Sequence, residues 1–181
     1  FGRSVALSVS TLVVGAPYKD IYRAGSIYVF ARDSTSSAWS ETAKYSLCLS
    51  TSCYFWMGVA MAGDTVLAAS YGGLWTVTRD PRSASWLSTL YSSNQVSSLT
   101  AERVVASPSG LFAITGYSPS STASIYESVQ GVMILRTTLT GTSGTNFGWS
   151  VAISDEVALV GAYGDDSVGT DAGAVFAYRR S

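Results

Sequence analysis

Two stretches of the chain repeat one pattern, and this pattern decides the fold. Residues 1–17 read FGRSVALSVSTLVVGAP and residues 147–163 read FGWSVAISDEVALVGAY, so the two align without a gap. After a loop, each stretch is followed by a second short motif, GSIYVF at residues 25–30 and GAVFAY at residues 173–178. Recurrence of such a long pattern within one chain indicates an architecture of structural repeats.

Two weaker copies of the pattern lie between the strong ones. Residues 55–71 align with residues 1–17 without a gap, whereas residues 103–117 keep the hairpin but have Ala101 and Glu102 in place of Phe-Gly. The spacing of the four copies fits the four-stranded blade of a β-propeller. We therefore predict a single repeat domain, 1–181, with units at residues 1–54, 55–100, 101–146 and 147–181.

Short runs of β-branched and aromatic residues predict strands, and no long window of the sequence has helical periodicity. In the third unit we predict a loop over residues 118–128, a third strand over 131–135 and a short fourth strand near 137–139. The fourth unit lacks the Trp-containing fourth strand of the first two units. We expect this strand to come from residues beyond 181 or from another copy of the chain.

The repeated residues carry a family resemblance. The sequence Phe-Gly-x-Ser-Val-Ala-[Leu/Ile]-Ser, then Val-Gly-Ala, then Gly-[Ser/Ala]-[Ile/Val]-[Tyr/Phe], is similar to the FG-GAP repeat of integrin-α-type β-propellers, in the variant of bacterial and algal extracellular proteins. The resemblance implies an all-β fold of four FG-GAP-like four-stranded blades. These would form a closed four-bladed β-propeller, or part of a larger propeller or open array. A binding, adhesive or structural role is also implied.

The charge balance bears on the partners of the chain. Only 13% of the residues are charged and the net charge is −1, so we predict no nucleic-acid partner. No apolar run approaches the about 18 residues that a membrane helix needs, so we predict no membrane insertion. A composition rich in Ser and Thr and poor in charge is typical of secreted or cell-surface β-proteins. We therefore predict an extracellular location, with O-glycans on the serine-rich turns.

Catalytic motifs are missing from the sequence. The chain contains no histidine, which removes the commonest general base and the commonest metal ligand. It also has no Gly-x-Ser-x-Gly elbow, phosphate loop or dinucleotide-binding motif. The residues therefore predict a protein that is not an enzyme and that holds no cofactor, calcium excepted.

A calcium site is implied by the resemblance. The signature of integrin-type repeats, Asp-x-Asp-x-Asp-Gly-x-x-Asp, gathers oxygen ligands in one loop. Its nearest counterpart is in unit 4, where Asp165, Asp166 and Asp171 are the candidate ligands, although their spacing departs from the signature. The alternative is that these carboxylates cap their own backbone, as aspartates commonly do in turns.

Two cysteines, Cys48 and Cys53, lie in the connection between units 1 and 2. Their spacing differs from redox-active Cys-x-x-Cys, and the chain offers no further soft ligands for zinc. We predict a disulfide between them, which also favours an oxidising compartment. The alternative is a pair of separate, buried thiols.

Five tyrosines lie at or beside the loops that follow the second strand of each unit. They predict a binding rim for a glycan or a protein ligand, and they are Tyr18, Tyr22, Tyr71, Tyr117 and Tyr163. The tryptophans fall mostly on repeat-equivalent strand positions, so we expect them to pack between blades rather than to form a carbohydrate platform.

A blade has two apolar faces and is not stable alone. The ends of an unclosed array would each expose on the order of 500 Å² of apolar surface, more than a soluble monomer normally tolerates. We therefore predict a structural or adhesive protein that associates with itself, or with further chain of the same protein, in a surface or fibrous assembly. The alternative is a cell-surface propeller that binds a glycan or protein ligand.

Overall fold

The structure is a computed structural model that describes residues 1–17, 25–46, 58–70, 73–80, 86–89, 102–117 and 120–180. Within these ranges fifteen β-strands form four antiparallel sheets. Strands that are consecutive in the chain are neighbours in every sheet, so each sheet is a meander. No helix in the described ranges is long and apolar enough to span a membrane. The prediction of an all-β chain built of four sheets is confirmed.

Sheets I and II each have four strands. Sheet I consists of β1 (Ser4–Leu7), β2 (Thr11–Ala16), β3 (Ser26–Arg32) and β4 (Trp39–Ser46). Sheet II consists of β5 (Gly58–Ala62), β6 (Thr65–Ser70), β7 (Gly73–Arg79) and β8 (Trp86–Thr89). A tight turn joins β5 to β6 at Gly63, whose φ of +57° lies in the left-handed region that glycine adopts at little cost.

Sheets III and IV differ in the number of their strands. Sheet III consists of β9 (Arg103–Ala106), β10 (Phe112–Tyr117), β11 (Thr122–Val129) and β12 (Val132–Thr140). Sheet IV has three strands in the described part of the chain, namely β13 (Phe147–Ile153), β14 (Val157–Ala162) and β15 (Ala174–Arg179). The outer edge of β15 therefore pairs with no described strand, whereas β3, β7 and β11 each pair with a fourth strand.

The third unit differs from the prediction made from its sequence. Residues 122–128, which lie in the loop predicted over 118–128, form β11 together with residue 129, and residues 132–140 form one outer strand with which β11 pairs. The two strands meet at Gln130 and Gly131, whose φ angles of +53° and +81° suit a two-residue hairpin turn. Composition is misleading here because β11 is rich in Thr, Ser and Glu, yet Tyr126 within it is buried between sheets.

Each sheet has two faces, because the side chains of a strand alternate from one side to the other. We call face A the side of sheet I that carries Val5 and Val14, which are cross-strand partners, and the corresponding side of the other sheets. Face B is the opposite side, which carries Ala6 and Val13 in sheet I. The two names make the stacking of the sheets simple to state.

The sheets stack in chain order, with face B of each sheet on face A of the next. Between sheets I and II the buried residues are Val13, Ile27, Val29, Val59, Val66, Ala68 and Val77. Between sheets II and III they are Ala60, Ala62, Leu67, Ala69, Leu74, Val104, Ala113, Tyr126 and Met133. Between sheets III and IV they are Ile114, Ala123, Phe147, Ala158, Val160 and Ala162. The core therefore includes three layers between neighbouring sheets, and a fourth buried cluster of Val14, Ala16 and Tyr28 lies on face A of sheet I.

Polar and aromatic contacts also join neighbouring sheets. The hydroxyl of Tyr45 in sheet I donates a 2.7 Å hydrogen bond to the carbonyl oxygen of Trp86 in sheet II. The guanidinium of Arg103 in sheet III lies over the ring of Trp149 in sheet IV, with Cζ 4.5 Å from the ring centroid. Such a stacked cation adds a modest electrostatic attraction to the apolar burial at this junction.

Candidate interaction surfaces

Part of face A of sheet I is exposed although its residues are apolar, while Val14, Ala16 and Tyr28 on the same face are buried. Val5 and Leu7 in β1 are 64% and 66% exposed, and Phe1, which precedes β1, is 75% exposed. No other described sheet covers these side chains. We call the surface formed by Phe1, Val5 and Leu7 the leading face.

Face B of sheet IV is exposed in the same way. Leu159 in β14 and Val175 in β15 are 39% and 70% exposed. At one end of sheet IV Trp149 and Tyr163 pack edge to face, with ring centroids 5.1 Å apart, and both remain exposed although Trp149 also contacts Arg103 of sheet III. We call the surface formed by these four residues the trailing face.

The same repeat positions are buried wherever a neighbouring sheet is present. Val59 in sheet II is the counterpart of Val5, and it is only 7% exposed. Ile114 in sheet III is the counterpart of Leu159, and it is fully buried against sheet IV. The exposure of the leading and trailing faces therefore reflects the lack of a covering sheet rather than a different kind of residue.

The phenylalanine of the Phe-Gly motif makes the same contact at both ends of the chain. Phe1 packs against Tyr28 of β3, with ring centroids 5.1 Å apart and an interplanar angle of 67°. Phe147 packs against Phe176 of β15 at 5.4 Å and 64°. In each case the ring lies across face A of its own sheet. The Phe-Gly motif is therefore part of the surface that meets the preceding sheet.

The aspartates implied as calcium ligands lie in the loop between β14 and β15. Asp165 is buried, and its Oδ1 accepts hydrogen bonds from the hydroxyl and, at 3.0 Å, from the backbone N–H of Ser167. These bonds favour the ionised form and hold the pKa of Asp165 below its ordinary value, although desolvation opposes them. Oδ1 of Asp166 accepts a 2.6 Å hydrogen bond from the N–H of Asp171.

This arrangement closes two turns and does not fit a cation. Asp165 and Asp166 each direct an oxygen at a backbone N–H of their own loop, whereas calcium takes about six to eight oxygen ligands that converge on one point. Among the described residues, no three His, Cys, Asp or Glu side chains are placed to hold a metal ion together. The geometry therefore agrees with the alternative, in which the carboxylates cap their own backbone.

Most of the other candidate site residues lie outside the described ranges. These are the two cysteines of the predicted disulfide and three tyrosines of the predicted rim, namely Cys48, Cys53, Tyr18, Tyr22 and Tyr71. Tyr117 is the last residue of β10, and its side chain is not described. Tyr163 is exposed on the trailing face beside Trp149. The disulfide and the tyrosine rim therefore stay predictions.

A groove of about 420 Å³ lies between sheets III and IV, with β15 along one wall. Its apolar lining includes Ile125 and Leu139 from sheet III and Ile153 and Tyr178 from sheet IV. The sequence alone does not reveal this groove, because its lining residues come from two units and meet only when the sheets stack. The sequence feature that could have indicated the groove is the presence of apolar residues at equivalent positions of two neighbouring units.

Charged residues surround the groove and are partly neutralised by one another. Nε of Arg136 donates a 2.6 Å hydrogen bond to the carboxylate of Glu127 in an exposed ion pair. The hydroxyl of Ser109 in sheet III donates a hydrogen bond to Asp155 in sheet IV, and this bond is the main reason why the pKa of Asp155 lies below its ordinary value. Asp155 is therefore ionised at neutral pH, so it can accept a proton or a hydrogen bond but cannot donate one.

Comparison with known proteins identifies the repeat. Residues 1–30 and 139–178 match the model of the FG-GAP repeat family. The first range holds β1, β2 and most of β3, and the second holds most of sheet IV. No curated protein matches the sequence.

Solved β-propeller structures share the fold at low sequence identity. The periplasmic gluconolactonase of Pseudomonas aeruginosa superposes with a TM-score of 0.60 at 12% identity, over 98% of this chain and 57% of its own. The hydrazine synthase of Kuenenia stuttgartiensis superposes with a TM-score of 0.59 at 13% identity, over 98% of this chain and 46% of its own. A proposed 6-phosphogluconolactonase of Bacteroides uniformis superposes with a TM-score of 0.54 at 10% identity, over 99% of this chain and 68% of its own. The chain thus spans about half to two thirds of these proteins, and the likeness shows the β-propeller fold alone.

The prediction that the chain is not an enzyme is wrong. It rested on the lack of histidine, which excludes only the mechanisms that need this base, whereas proteins of the same fold are named gluconolactonases. The structure also gathers Glu127, Asp155 and Glu156 around one groove, although no converging carboxylates could be recognised from the sequence. Missing motifs are weak evidence against catalysis, because the stacking of sheets brings together residues that are distant in the chain. The likeness assigns no reaction to this chain.

The repeat match and the fold agree on the organisation of the molecule. The two matched ranges lie mostly in sheets I and IV, which also carry the leading and trailing faces. The solved structures with this arrangement of sheets are β-propellers. The chain is therefore a β-propeller-fold protein whose first and last sheets carry the FG-GAP repeat.

Proposed function

We propose that the chain is a structural or adhesive repeat module that associates with further copies of itself end to end. In this association the leading face of one copy packs on the trailing face of the next. The observation that carries the proposal is the exposure of Val5 and Val175, at 64% and 70%, while Val59 and Ala123, their counterparts in interior sheets, are buried. Clustered exposed apolar side chains commonly mark a surface that meets a partner.

The two open faces are complementary rather than identical. At the three junctions between the described sheets, face B of one sheet packs on face A of the next. The leading face is an A face and the trailing face is a B face, so a contact between copies would repeat the contact between sheets. A heterologous contact of this kind produces a closed ring or an open fibre, depending on whether the rotation closes.

Burial of the open faces favours this association. Full burial of a Val, Leu or Phe side chain contributes about 1.5–3 kcal/mol. Lost translational and rotational freedom costs about 4–15 kcal/mol, so several apolar side chains must be buried together. The leading face supplies Phe1, Val5 and Leu7, and the trailing face supplies Leu159 and Val175. These five side chains are enough to exceed the lower end of that cost.

An extracellular location is part of the proposal. It is supported by a composition with only 13% charged residues and many Ser and Thr. The disulfide predicted between Cys48 and Cys53 would persist only in an oxidising compartment. A secreted chain that polymerises through its ends would suit a surface layer or a fibre.

The alternative of a ligand-binding propeller has less support. Tyr163 is the one residue of the predicted tyrosine rim whose side chain is described, and it lies next to Trp149 on the trailing face. Both rings would be covered when a second copy packs there. A ligand on these rings would therefore compete with the association rather than add to it.

The proposal predicts that one acidic substitution on either open face stops growth of the assembly. Val5→Asp alters the leading face and Val175→Asp the trailing face, and both sites are exposed, so each variant should keep its fold. An unpaired carboxylate buried in an apolar contact costs several kcal/mol, so we expect Kd to rise at least about 100-fold. Each variant alone should be a monomer. An equimolar mixture should form a dimer and nothing larger, because each variant keeps one intact face.

Sedimentation velocity over a range of concentrations measures these outcomes. Leu111→Asp is the matched control, since Leu111 is exposed between β9 and β10 of sheet III and lies on neither open face. The control should associate as the unsubstituted chain does. If the unsubstituted chain stays monomeric, or if the mixture forms no dimer, end-to-end association of this chain is wrong. The open faces would then belong to further repeats or to a different partner.

A further inference from the structure

We infer that the Phe1–Gly2 turn of one copy seats in a depression on the trailing face of the next copy. This depression, which we call the socket, has a volume of about 360 Å³ and is lined by Trp149, Gly161, Tyr163, Ala172 and Val175. The inference rests on the proposed function and adds the residues that fit together. It makes the Phe-Gly motif and the Gly of Val-Gly-Ala two sides of one contact.

The junction between sheets III and IV shows how this part of a repeat fits. A β-carbon at Gly116 in sheet III would overlap the carbonyl oxygen of Gly148 and lie 3.0 Å from a methyl carbon of Val151, both in sheet IV. Any side chain at Gly116 would therefore collide with the Phe-Gly turn of the next sheet. Gly161 is the counterpart of Gly116 in sheet IV, and it lines the open socket.

The junction between sheets II and III also has a close backbone approach, but at a different position of the repeat. A β-carbon at Gly58 in sheet II would lie 2.9 Å from Cα of Arg103 and 2.9 Å from the carbonyl oxygen of Glu102. Glu102 precedes β9 and Arg103 is its first residue, and in sheet IV Phe147 and Gly148 are the first two residues of β13. At both junctions the start of one sheet therefore lies directly on the backbone of the preceding sheet, at Gly116 in β10 or at Gly58 in β5. The cross-strand partner of Gly58 is Ala69, which is the counterpart of Gly116 in sheet II.

The contact that we infer for the side chain of Phe1 already exists for Phe147 between sheets III and IV. Phe147 is fully buried in one cluster with Ile114 and Ala123 of sheet III. The counterparts of these two residues in sheet IV are Leu159 and Val175, which are exposed beside the socket. The phenylalanine of the leading face of a second copy would pack on them as Phe147 packs on sheet III.

The turn on the leading face already has the conformation that it would need. Gly2 has a φ of +80°, close to the +91° of Gly148, and both values lie in the region that favours glycine. Phe1 makes the same edge-on contact with its own sheet that Phe147 makes. A preformed contact surface loses little conformational freedom on association, which favours binding.

The first test fills the socket. Ala172 is exposed and lines it, so Ala172→Trp would occupy the space meant for the turn. Thr170→Trp is the control, because Thr170 is exposed in the same loop and does not line the socket. Each change is made in the Val5→Asp chain, whose trailing face is intact, and Kd for its dimer with the Val175→Asp chain is measured. We expect Ala172→Trp to raise Kd at least about tenfold and Thr170→Trp to change it less than about twofold.

The second test locates the turn directly. Phe1 of the Val175→Asp chain is replaced by the photoreactive p-benzoylphenylalanine, which keeps an aromatic ring at an exposed position. After irradiation of the dimer, mass spectrometry of the digested product identifies the linked peptide. We expect the cross-link on the other chain at Tyr163 or within residues 172–175.

The outcomes separate this inference from the proposed function. A cross-link in the socket together with weaker binding by Ala172→Trp supports the inference. A dimer that forms equally well with Ala172→Trp, or that cross-links elsewhere, overturns the socket and leaves end-to-end association intact. If the parent pair of variants forms no dimer at all, both the proposed function and the socket are wrong.

Discussion

Sheets I and IV are built from the same motif, yet apolar residues are exposed on part of face A in sheet I and on face B in sheet IV. On face A, Phe147 of sheet IV is fully buried while its counterpart Phe1 is largely exposed. On face B the order is reversed, since Val13 of sheet I is fully buried and its counterpart Leu159 is exposed. The motif therefore does not decide which of its apolar residues are buried. At these positions burial depends on which side of the sheet has a neighbour, whereas Val14 and its counterpart Val160 are buried in both sheets.

The comparison also shows what the motif does decide. The Phe-Gly turn and the edge-on aromatic pair are nearly the same in the two sheets, although only sheet IV has a neighbour on face A. Local structure is thus a property of the repeat, and burial is a property of its position in the stack. The same substitution made at counterpart positions of sheets I and IV separates the effect of local structure on stability from the effect of burial.

The largest difference is expected for the phenylalanine of the motif. Phe147→Ala should lower the free energy of unfolding by about 3–5 kcal/mol, because the ring is fully buried between sheets III and IV. Phe1→Ala should lower it by less than about 1 kcal/mol, because Phe1 is mostly exposed. Urea denaturation is measured at a concentration where the chain is monomeric. Equal losses would mean that the leading face is covered in solution.

A smaller difference in stability is expected between alanine substitutions at Gly116 in β10 and at its counterpart Gly161 in β14. Gly116→Ala should lower the free energy of unfolding by about 1–3 kcal/mol, because the new methyl group meets the backbone of Gly148. Gly161→Ala should cost less than about 1 kcal/mol, because the methyl group meets only the hydroxyl of Ser150, which can rotate away. Thermal denaturation of the monomer compares the two. If Gly161→Ala costs as much as Gly116→Ala, the trailing face is not open.

The smallest effect is expected at the turn between β3 and β4 of sheet I. Oδ1 of Asp33 accepts a 2.6 Å hydrogen bond from the N–H of Ser36 and further hydrogen bonds from its hydroxyl and from Thr35, which hold the pKa of Asp33 well below its ordinary value. A lowered folded-state pKa gives stability that is present above the unfolded-state pKa and is lost as the pH falls through the folded-state pKa. Asp33→Asn should therefore lower Tm slightly at pH 7.

The pH dependence is the sharper part of this prediction. The difference in Tm between the unsubstituted chain and Asp33→Asn should narrow as the pH falls from about 4 to about 2, because the carboxylate of the unfolded chain then becomes protonated while that of the folded chain stays ionised. The contribution is small, since Asp33 is exposed and screened by solvent. Differential scanning calorimetry across this pH range measures it. A difference that stays constant to the lowest pH would exclude the carboxylate charge as its cause.

Much of the fold follows from the sequence where a strand is apolar and ends at a distinctive residue. The apolar runs Leu12–Ala16 and Ser26–Ala31 of sheet I correspond to β2 and β3 within one residue at each end. The third unit was harder because β11 contains several hydroxyl residues, which weaken the alternation of apolar and polar residues that indicates a strand. Its turn at Gln130–Gly131 has the positive φ angles of a hairpin, but Gln is not a usual residue at such a position.

The candidate surfaces were predictable in kind but not in detail. Bare end faces follow from a repeat that needs neighbours, and Val5 and Leu7 are conspicuous apolar residues of the first strand. The pairing of a Phe-Gly turn with Gly161 could not be predicted, because it depends on how closely two backbones approach. The groove that contains Glu127 and Asp155 was missed for a related reason, since stacking alone brings these residues to one place.

Because face B of one sheet meets face A of the next at each junction, the number of sheets can change without a change in the residues that pack at the junctions. Tandem duplication of one complete unit would insert a sheet whose two faces already match those on either side of it. No compensating substitution would be required at either junction. Evolution can therefore vary the number of repeats, and with it the curvature and reach of the molecule, more readily than it can change the face of any one sheet.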